Sequence, residues 1–265
     1  MQSSLSLFDG KENAMTAVQV AKKELRRKIH NLLKDIPRES VTAQCSDTVR
    51  TTKTAVVTNK LFTLPEYLNA RRISIFLSMP TGEISTSGIV HDALSKGKEV
   101  FVPYTHKLET TGNPSQPKVS VMDMLRLESM EEFESLQPDK WGIPSLDKAS
   151  VPNRQNCLGG RGVLEERPRG NPDDLGLDLI VMPGMAFDTD LRRLGHGKGY
   201  YDYFLNNYNK EIAGSPRASQ RPFLVAIALK EQILPPPDEI PVASHDQPVD
   251  AIIVGDGRLI SAKSP

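Results

Sequence analysis

Between Arg192 and Asp202 the chain reads Arg-Arg-Leu-Gly-His-Gly-Lys-Gly-Tyr-Tyr-Asp. Arg192, Arg193, His196 and Lys198 crowd into this segment, and Gly195, Gly197 and Gly199 alternate among them. A backbone without Cβ atoms can approach a phosphate closely. The segment follows the apolar run Leu177–Met182 and precedes a stretch in which Tyr201, Phe204, Leu205 and Tyr208 form a helical stripe. Strand, glycine-rich loop and helix is the order in which free N–H groups and the helix dipole meet an anion. Phosphate binding is therefore one reading. The other is a flexible glycine turn with solvated cations, because neither GxxxxGK[ST] nor GxGxxG is matched.

Other candidates are spread along the chain. Lys22 and Arg26 fall one helical turn apart, as do Lys23 and Arg27. Like charges at this spacing repel, and an anion shared by Lys22 and Arg26 would relieve them. In an isolated helix an exposed polar face is the simpler outcome. Asp188, Asp190, Asp202, Asp246 and Asp250 are candidate Mg²⁺ ligands, since a nucleotide-bound Mg²⁺ needs only one or two carboxylates. Asp202, behind the glycines, would lie near a bound phosphate, or would simply complement a helix N-terminus. Trp141 either stacks on a flat ring or fills the core. Met79, Met122 and Met124 suit an adaptable pocket or a core equally. His30, His91, His106 and His245 show no metal-ligand spacing.

These residues must be positioned by the elements around them. Val18, Ala21, Leu25, Ile29 and Leu32 predict a helix that starts at an N-cap Thr16 and ends by Pro37. A second helix is expected over Thr42–Phe62. Strands are expected at Arg72–Ser78, Glu99–Pro103, Lys118–Leu127, Leu177–Met182, Phe223–Leu229 and Ala251–Val254, with a helix at Thr86–Lys96 closed by Gly97. Alternating strands and helices imply an α/β fold with a mostly parallel sheet and helices on both faces. Residues 1–15 are expected to be a flexible tail and 16–265 a single domain. Within it Leu146–Asp174, rich in Gly, Pro and charge, is expected to be a mobile surface insertion.

Composition narrows the function class. In 265 residues 33 Lys+Arg balance 33 Asp+Glu, which argues against a general nucleic-acid or membrane-surface binder. Cys45 and Cys157, far apart, make neither a disulfide framework nor a structural zinc site, so a reducing compartment is the default. No apolar run approaches the ~20 residues of a membrane helix. The first residues lack a basic n-region and long apolar core, so a cytoplasmic location is expected, a mitochondrial one being compatible.

Arg193-Leu-Gly-His-Gly-Lys-Gly-Tyr-Tyr-Asp202, preceded by Met182-Pro-Gly-Met-Ala-Phe-Asp188, resembles the signature of the 5-formyltetrahydrofolate cyclo-ligase (5,10-methenyltetrahydrofolate synthetase) family. Lys22-Lys-Glu-Leu-Arg26, Ile73-Ser-Ile-Phe-Leu-Ser-Met79, Glu83-Ile-Ser-Thr86, Val121-Met-Asp-Met124, Trp141-Gly-Ile-Pro144 and Asp246 with Val249-Asp250 follow in the family's order, over about Thr16 to Val254. The resemblance implies a single Rossmann-like three-layer domain that uses ATP and Mg²⁺ to convert 5-formyltetrahydrofolate into 5,10-methenyltetrahydrofolate through a phosphorylated formyl group. It implies ATP contacts at Lys22, Lys23 and Arg26, and at Arg193, Leu194, Gly195, His196, Gly197, Lys198, Gly199, Tyr200 and Tyr201. Folate contacts are implied at Leu77, Glu83, Tyr104 and Trp141 and along His196–Tyr200, and Mg²⁺ contacts at Asp202 and Asp246. Lys198, Arg193 and Tyr200 would be catalytic. The partners implied are ATP and the folate, with or without a polyglutamate tail, and a monomer is expected. Family members commonly carry Arg where this chain has His196, Pro80-Thr-Gly82 widens the turn before Glu83, and the 146–174 insertion is longer than usual. A binding relative that no longer turns over is the alternative. A sugar-phosphate isomerase or CoA-transferase-like enzyme is a weaker one, resting on fold alone.

Overall fold

The computed structural model describes residues 16–36, 56–108, 120–163, 175–213 and 221–262. Thr16 opens helix α1 (Ala17–Lys34) with a capping box: its side chain accepts from the Gln19 N–H, and the Gln19 side chain accepts from the Thr16 N–H. In chain order there follow α2 (Val56–Phe62), α3 (Pro65–Asn69), β1 (Arg72–Ile75), α4 (Ser87–Ser95), β2 (Glu99–Lys107), β3 (Ser120–Leu127), α5 (Met130–Ser135), β4 (Gln137–Pro138), β5 (Pro144–Ser145), β6 (Leu179–Met182), β7 (Ala186–Phe187), β8 (Arg193–Leu194), α6 (Tyr200–Ile212), β9 (Phe223–Ala228), β10 (Ala251–Val254) and β11 (Leu259–Ser261).

Seven strands form one sheet in the order β11-β10-β9-β6-β1-β2-β3. The five central strands are parallel, and β11 and β3 close the edges antiparallel. Strands β1, β6 and β10 are buried at every position, as expected of parallel strands covered on both faces. One face packs Leu61, Tyr67 and Ile89 from α2, α3 and α4, and the other packs Phe204, Leu205 and Tyr208 from α6. The expected three-layer α/β architecture is what forms. Strand β2 lies on one side of β1, while β6, β9 and β10 build outward on the other. The sheet therefore reverses its direction of growth between β1 and β6, and open α/β sheets bind ligands at the carboxyl ends of strands flanking such a reversal.

Several boundaries differ from the sequence reading. The first strand stops at Ile75, because the chain then turns back on itself through paired Ser78 and Thr86 bonds. The second helix is observed only from Val56, its expected start lying outside the described residues. The described part of the expected insertion is more ordered than its composition suggests. Residues 146–163 pack against the edge strand β3: Arg126 donates to Gln155 O, and Cys157 donates to Met124 O. Fully buried Asn156 donates to Asp123 and to Gly162 O and accepts from the Leu158 N–H. Arg154 pairs with Glu132 of α5. The glycines and prolines there shape a fitted cover for a sheet edge, which composition does not distinguish from a loose loop. The remainder, 164–174, lies outside the described residues, as do residues 1–15.

Candidate active site

Ile75 and Val181 are register partners on adjacent parallel strands, so the loops leaving β1 and β6 open at the same edge of the sheet. The loop after β1 folds back by Ser78–Thr86 bonding in both directions, and the Met79 N–H donates to Glu83 Oε2 at 2.8 Å. Burial pushes the Glu83 carboxyl up to about 7, against the pull of that N–H. Near neutrality this side chain is shared between its neutral and charged forms. Leu77 is buried beside it on the same loop.

The loop after β6 is built differently. A Cβ on Gly184 would fall 2.5 Å from the Phe187 ring, so only glycine lets the chain enter the β7–β8 ribbon here. The ribbon's tip is tied by buried Asp188, which accepts from the N–H groups of Asp190, Arg192 and Ile240 and pairs with the Arg192 guanidinium at 2.8 Å. The glycine run follows. Gly197 and Gly199 take positive φ (89° and 69°), and Gly199 starts α6 without any side-chain cap. The dipole and first N–H groups of that helix thus point into the loop.

Helix α1 lies against this loop from the other side. Arg26 Nε donates to Gly195 O at 2.8 Å, and a Cβ on Gly197 would fall 3.3 Å from the Arg26 guanidinium carbon. One turn earlier, buried Lys22 pairs with Asp246. Burial works against the Asp246 carboxylate, but Lys22 and the Ala243 N–H outweigh it and hold its pKa below the ordinary value. Asp202 Oδ1 receives Arg193 Nη2 at 3.0 Å and the Gln247 N–H at 3.3 Å, which brings Asp202 to the residue beside Asp246.

Two polar atoms at this centre are buried without hydrogen-bond partners among the described residues: Tyr201 Oη and Arg193 Nε. Burial pushes the Tyr201 phenol well above its ordinary pKa, opposed by Arg193 and reinforced by Glu83, so this ring stands between the two loops. Its side chain packs against the core clusters of both sheet faces, and the Arg193 guanidinium lies 5.6 Å from its ring centre. An unsatisfied buried polar group costs about 1–3 kcal/mol, which a ligand reaching these atoms would offset. The arrangement joins cations and open backbone on one side to a half-neutral carboxyl on the other.

Among the described residues no group of three or more His, Cys, Asp or Glu could cage a metal ion by itself. Asp202 and Asp246 nonetheless suit Mg²⁺ held largely by phosphates and water. Each engages one oxygen with protein donors, and the other oxygen accepts no hydrogen bond among the described residues, His245 standing 3.9 Å from Asp246 Oδ1.

A sequence profile of the 5-formyltetrahydrofolate cyclo-ligase family matches residues 18–255. The chain belongs to this family. It is 33% identical over 245 residues to the 5-formyltetrahydrofolate cyclo-ligase of Mus musculus, covering 92% of this chain and 98% of that protein. To the Saccharomyces cerevisiae 5-formyltetrahydrofolate cyclo-ligase it is 31% identical over 200 residues, covering 72% and 79%. The solved structure of Aquifex aeolicus 5,10-methenyltetrahydrofolate synthetase shares the fold, with a TM-score of 0.55 at 23% identity over 92% of this chain and 94% of that one.

Against the cyclo-ligase signature, the structure brings together Lys22, Arg26, Arg193, Gly195, Gly197, Tyr201, Asp202 and Asp246. The exposed-face alternative for Lys22 and Arg26 does not hold, whereas Lys23 and Arg27 are exposed. Asp188 and Asp250 are structural rather than metal ligands. The first is saturated by the ribbon tip, and the second accepts from the Leu224 N–H and pairs with Arg221. The Leu194 side chain is buried with Ile29 and Met185, leaving its backbone for any ligand. His196, Lys198 and Gly199 are exposed. Tyr200 reaches Ser120 Oγ on β3 at 3.1 Å. Trp141 is not a core residue: it is 60% exposed, with Lys140 Nζ 4.1 Å from its ring centre. Its turn abuts the Glu83 loop, since a Cβ on Gly142 would fall 2.9 Å from Pro80. Tyr104 stacks on His106, which itself bonds Asp123. Gln232 escaped the sequence reading. Its buried amide donates to Gly184 O at 2.6 Å and accepts from the Leu229 N–H, tying the ends of β6 and β9. Nothing in the local sequence marks it.

Proposed function

We propose that this chain is a 5-formyltetrahydrofolate cyclo-ligase that uses ATP and Mg²⁺ to form 5,10-methenyltetrahydrofolate, ADP and phosphate. The observation that carries this is the clasp of α1 on the glycine loop, with Arg26 on Gly195 O, beside the Glu83 loop at the same sheet edge. A formamide oxygen is a poor leaving group, and phosphorylation converts it into a good one. The γ-phosphoryl group passes to the formyl oxygen as the bond to ADP breaks. N10 then attacks the formyl carbon and loses its proton, and phosphate leaves with the C–O electron pair as the ring closes.

Such a transfer asks mainly for alignment and charge stabilisation. Lys22 and Arg26 from α1, with the backbone of 194–201, hold the nucleotide. Lys198 and Arg193 stabilise charge on the group in flight, and Tyr200 borders both substrates. Asp202 and Asp246 would hold Mg²⁺, which would supply neutralisation of phosphate charge there. Leu77, Glu83, Tyr104 and Trp141 form the folate side, the neutral fraction of Glu83 being able to donate to a ring or amide acceptor. Formation of methenyltetrahydrofolate from 5-formyltetrahydrofolate, followed by absorbance with and without Mg-ATP, tests this directly. ATP-dependent product is expected, and binding of both substrates without turnover would establish the inactive relative instead.

A further inference from the structure

We infer that nucleotide binding at the glycine loop draws one proton from solution onto His196, making this residue a phosphate ligand only in its charged form. The inference rests on the ATP reading of that loop. Its basis is where the loop mounts the imidazole. The residue before it, Gly195, gives its carbonyl to Arg26, and a Cβ there would fall 3.0 Å from Arg193 Nη1. The residue after it, Gly197, has space for a Cβ only 3.3 Å from the Arg26 guanidinium carbon. The loop that carries His196 thus runs between two permanent cations, one from α1 and one from β8, with Lys198 two residues further along it.

The charged groups acting on the ring are these two guanidinium groups. Arg193 has its own counter-charge in Asp202, and Arg26 feels Asp246 while giving Nε to a neutral carbonyl. The crowding of protein around the ring, together with Arg193 and Arg26, pushes the imidazole pKa below its ordinary value although the residue is exposed. The ligand-free loop therefore presents a neutral ring near pH 7. A triphosphate reverses the balance: it screens both guanidinium groups and adds several negative charges at hydrogen-bond range, which favours imidazolium. A permanently charged residue at this position would bind the same anion with no proton taken up.

Linkage fixes the sign. If binding takes up a proton, affinity falls as pH rises, by up to ~tenfold per unit while pH lies between the pKa of the free ring and that of the loaded ring. Calorimetric titration of Mg-ATP into the full chain at pH 7.5, in two buffers of different ionisation enthalpy, measures the proton directly. The nucleotide's own last pKa, ~6, lies well below that pH. Wild type should take up roughly 0.3–1 proton per nucleotide, and its Kd should weaken several-fold from pH 7 to 8.5. His196→Arg and His196→Gln should take up none, and the affinity of His196→Arg should be flat over that range. Tight binding by wild type without proton uptake overturns the inference, as does equal uptake by both variants, and either leaves the ATP site standing. Absence of nucleotide binding in all three proteins overturns the ATP reading and this inference with it.

Discussion

The loops that leave β1 and β6 start from adjacent, equally buried strands, yet they become chemical opposites. The β6 loop carries Arg193, His196 and Lys198 on a backbone stripped of Cβ atoms and opened by two positive-φ glycines. The β1 loop carries a single acid, Glu83, folded in so that burial favours its neutral form. A polyanion suits the first and a weakly polar heterocycle the second. Tyr201, packed against both sheet faces with its hydroxyl unpartnered among the described residues, stands where they meet. One reversal of sheet direction thus brings two chemically different loops to a single edge, and side chains together with glycine backbone set the difference between them.

The contrast can be broken at either loop. Lys198→Ala should lower kcat/KM by about 10²–10³, as loss of one charge-stabilising donor does, while an unchanged far-UV spectrum shows that this exposed residue is not needed for folding. Near-wild-type kcat/KM would remove Lys198 from the phosphate site. Gly197→Ala forces a Cβ into left-handed backbone beside Arg26, a strain of about 1–2 kcal/mol, so KM for ATP should rise ~tenfold and KM for the folate hold steady. An equal rise in both would mean that the loops are not separate. Trp141→Ala should leave stability within about 0.5 kcal/mol, since the ring is 60% exposed. Loss of a stacking contact of about 1 kcal/mol should raise KM for the folate ~fivefold, and a rise in KM for ATP instead would put Trp141 on the wrong side.

Glu83→Gln should have the smallest effect at any one pH and the clearest across pH. A carboxyl whose folded pKa is raised from 4.5 to about 7 binds more protons folded than unfolded between those values. Its contribution to stability is therefore lost as pH rises through that window. The melting temperature of wild type should fall from pH 5 to pH 8 by more than that of Glu83→Gln. Parallel curves would mean that Glu83 is ionised and solvated.

Much of the fold was readable from the sequence. The run Leu177–Met182 announced a central strand buried on both faces, the alternation of strands and helices announced a three-layer α/β fold, and Gly195, Gly197 and Gly199 marked where the backbone opens before α6. The packing of residues 146–163 was not legible there. Asn156 and Arg154 look like loop residues until Asp123, Gly162 and Glu132 are found around them. Asp188 looked like a candidate metal ligand until three N–H groups and Arg192 were found on it.

The sequence by itself determined which elements form and where the backbone opens, because hydrophobic period, caps and glycines act within a few residues of one another. Only the tertiary structure decided which charges meet. Lys22 with Asp246 and Arg26 with Gly195 are separated by well over a hundred residues of chain, and so are Glu83 and Tyr201. No local pattern encodes such pairs, since each depends on the order in which parallel strands are laid into the sheet.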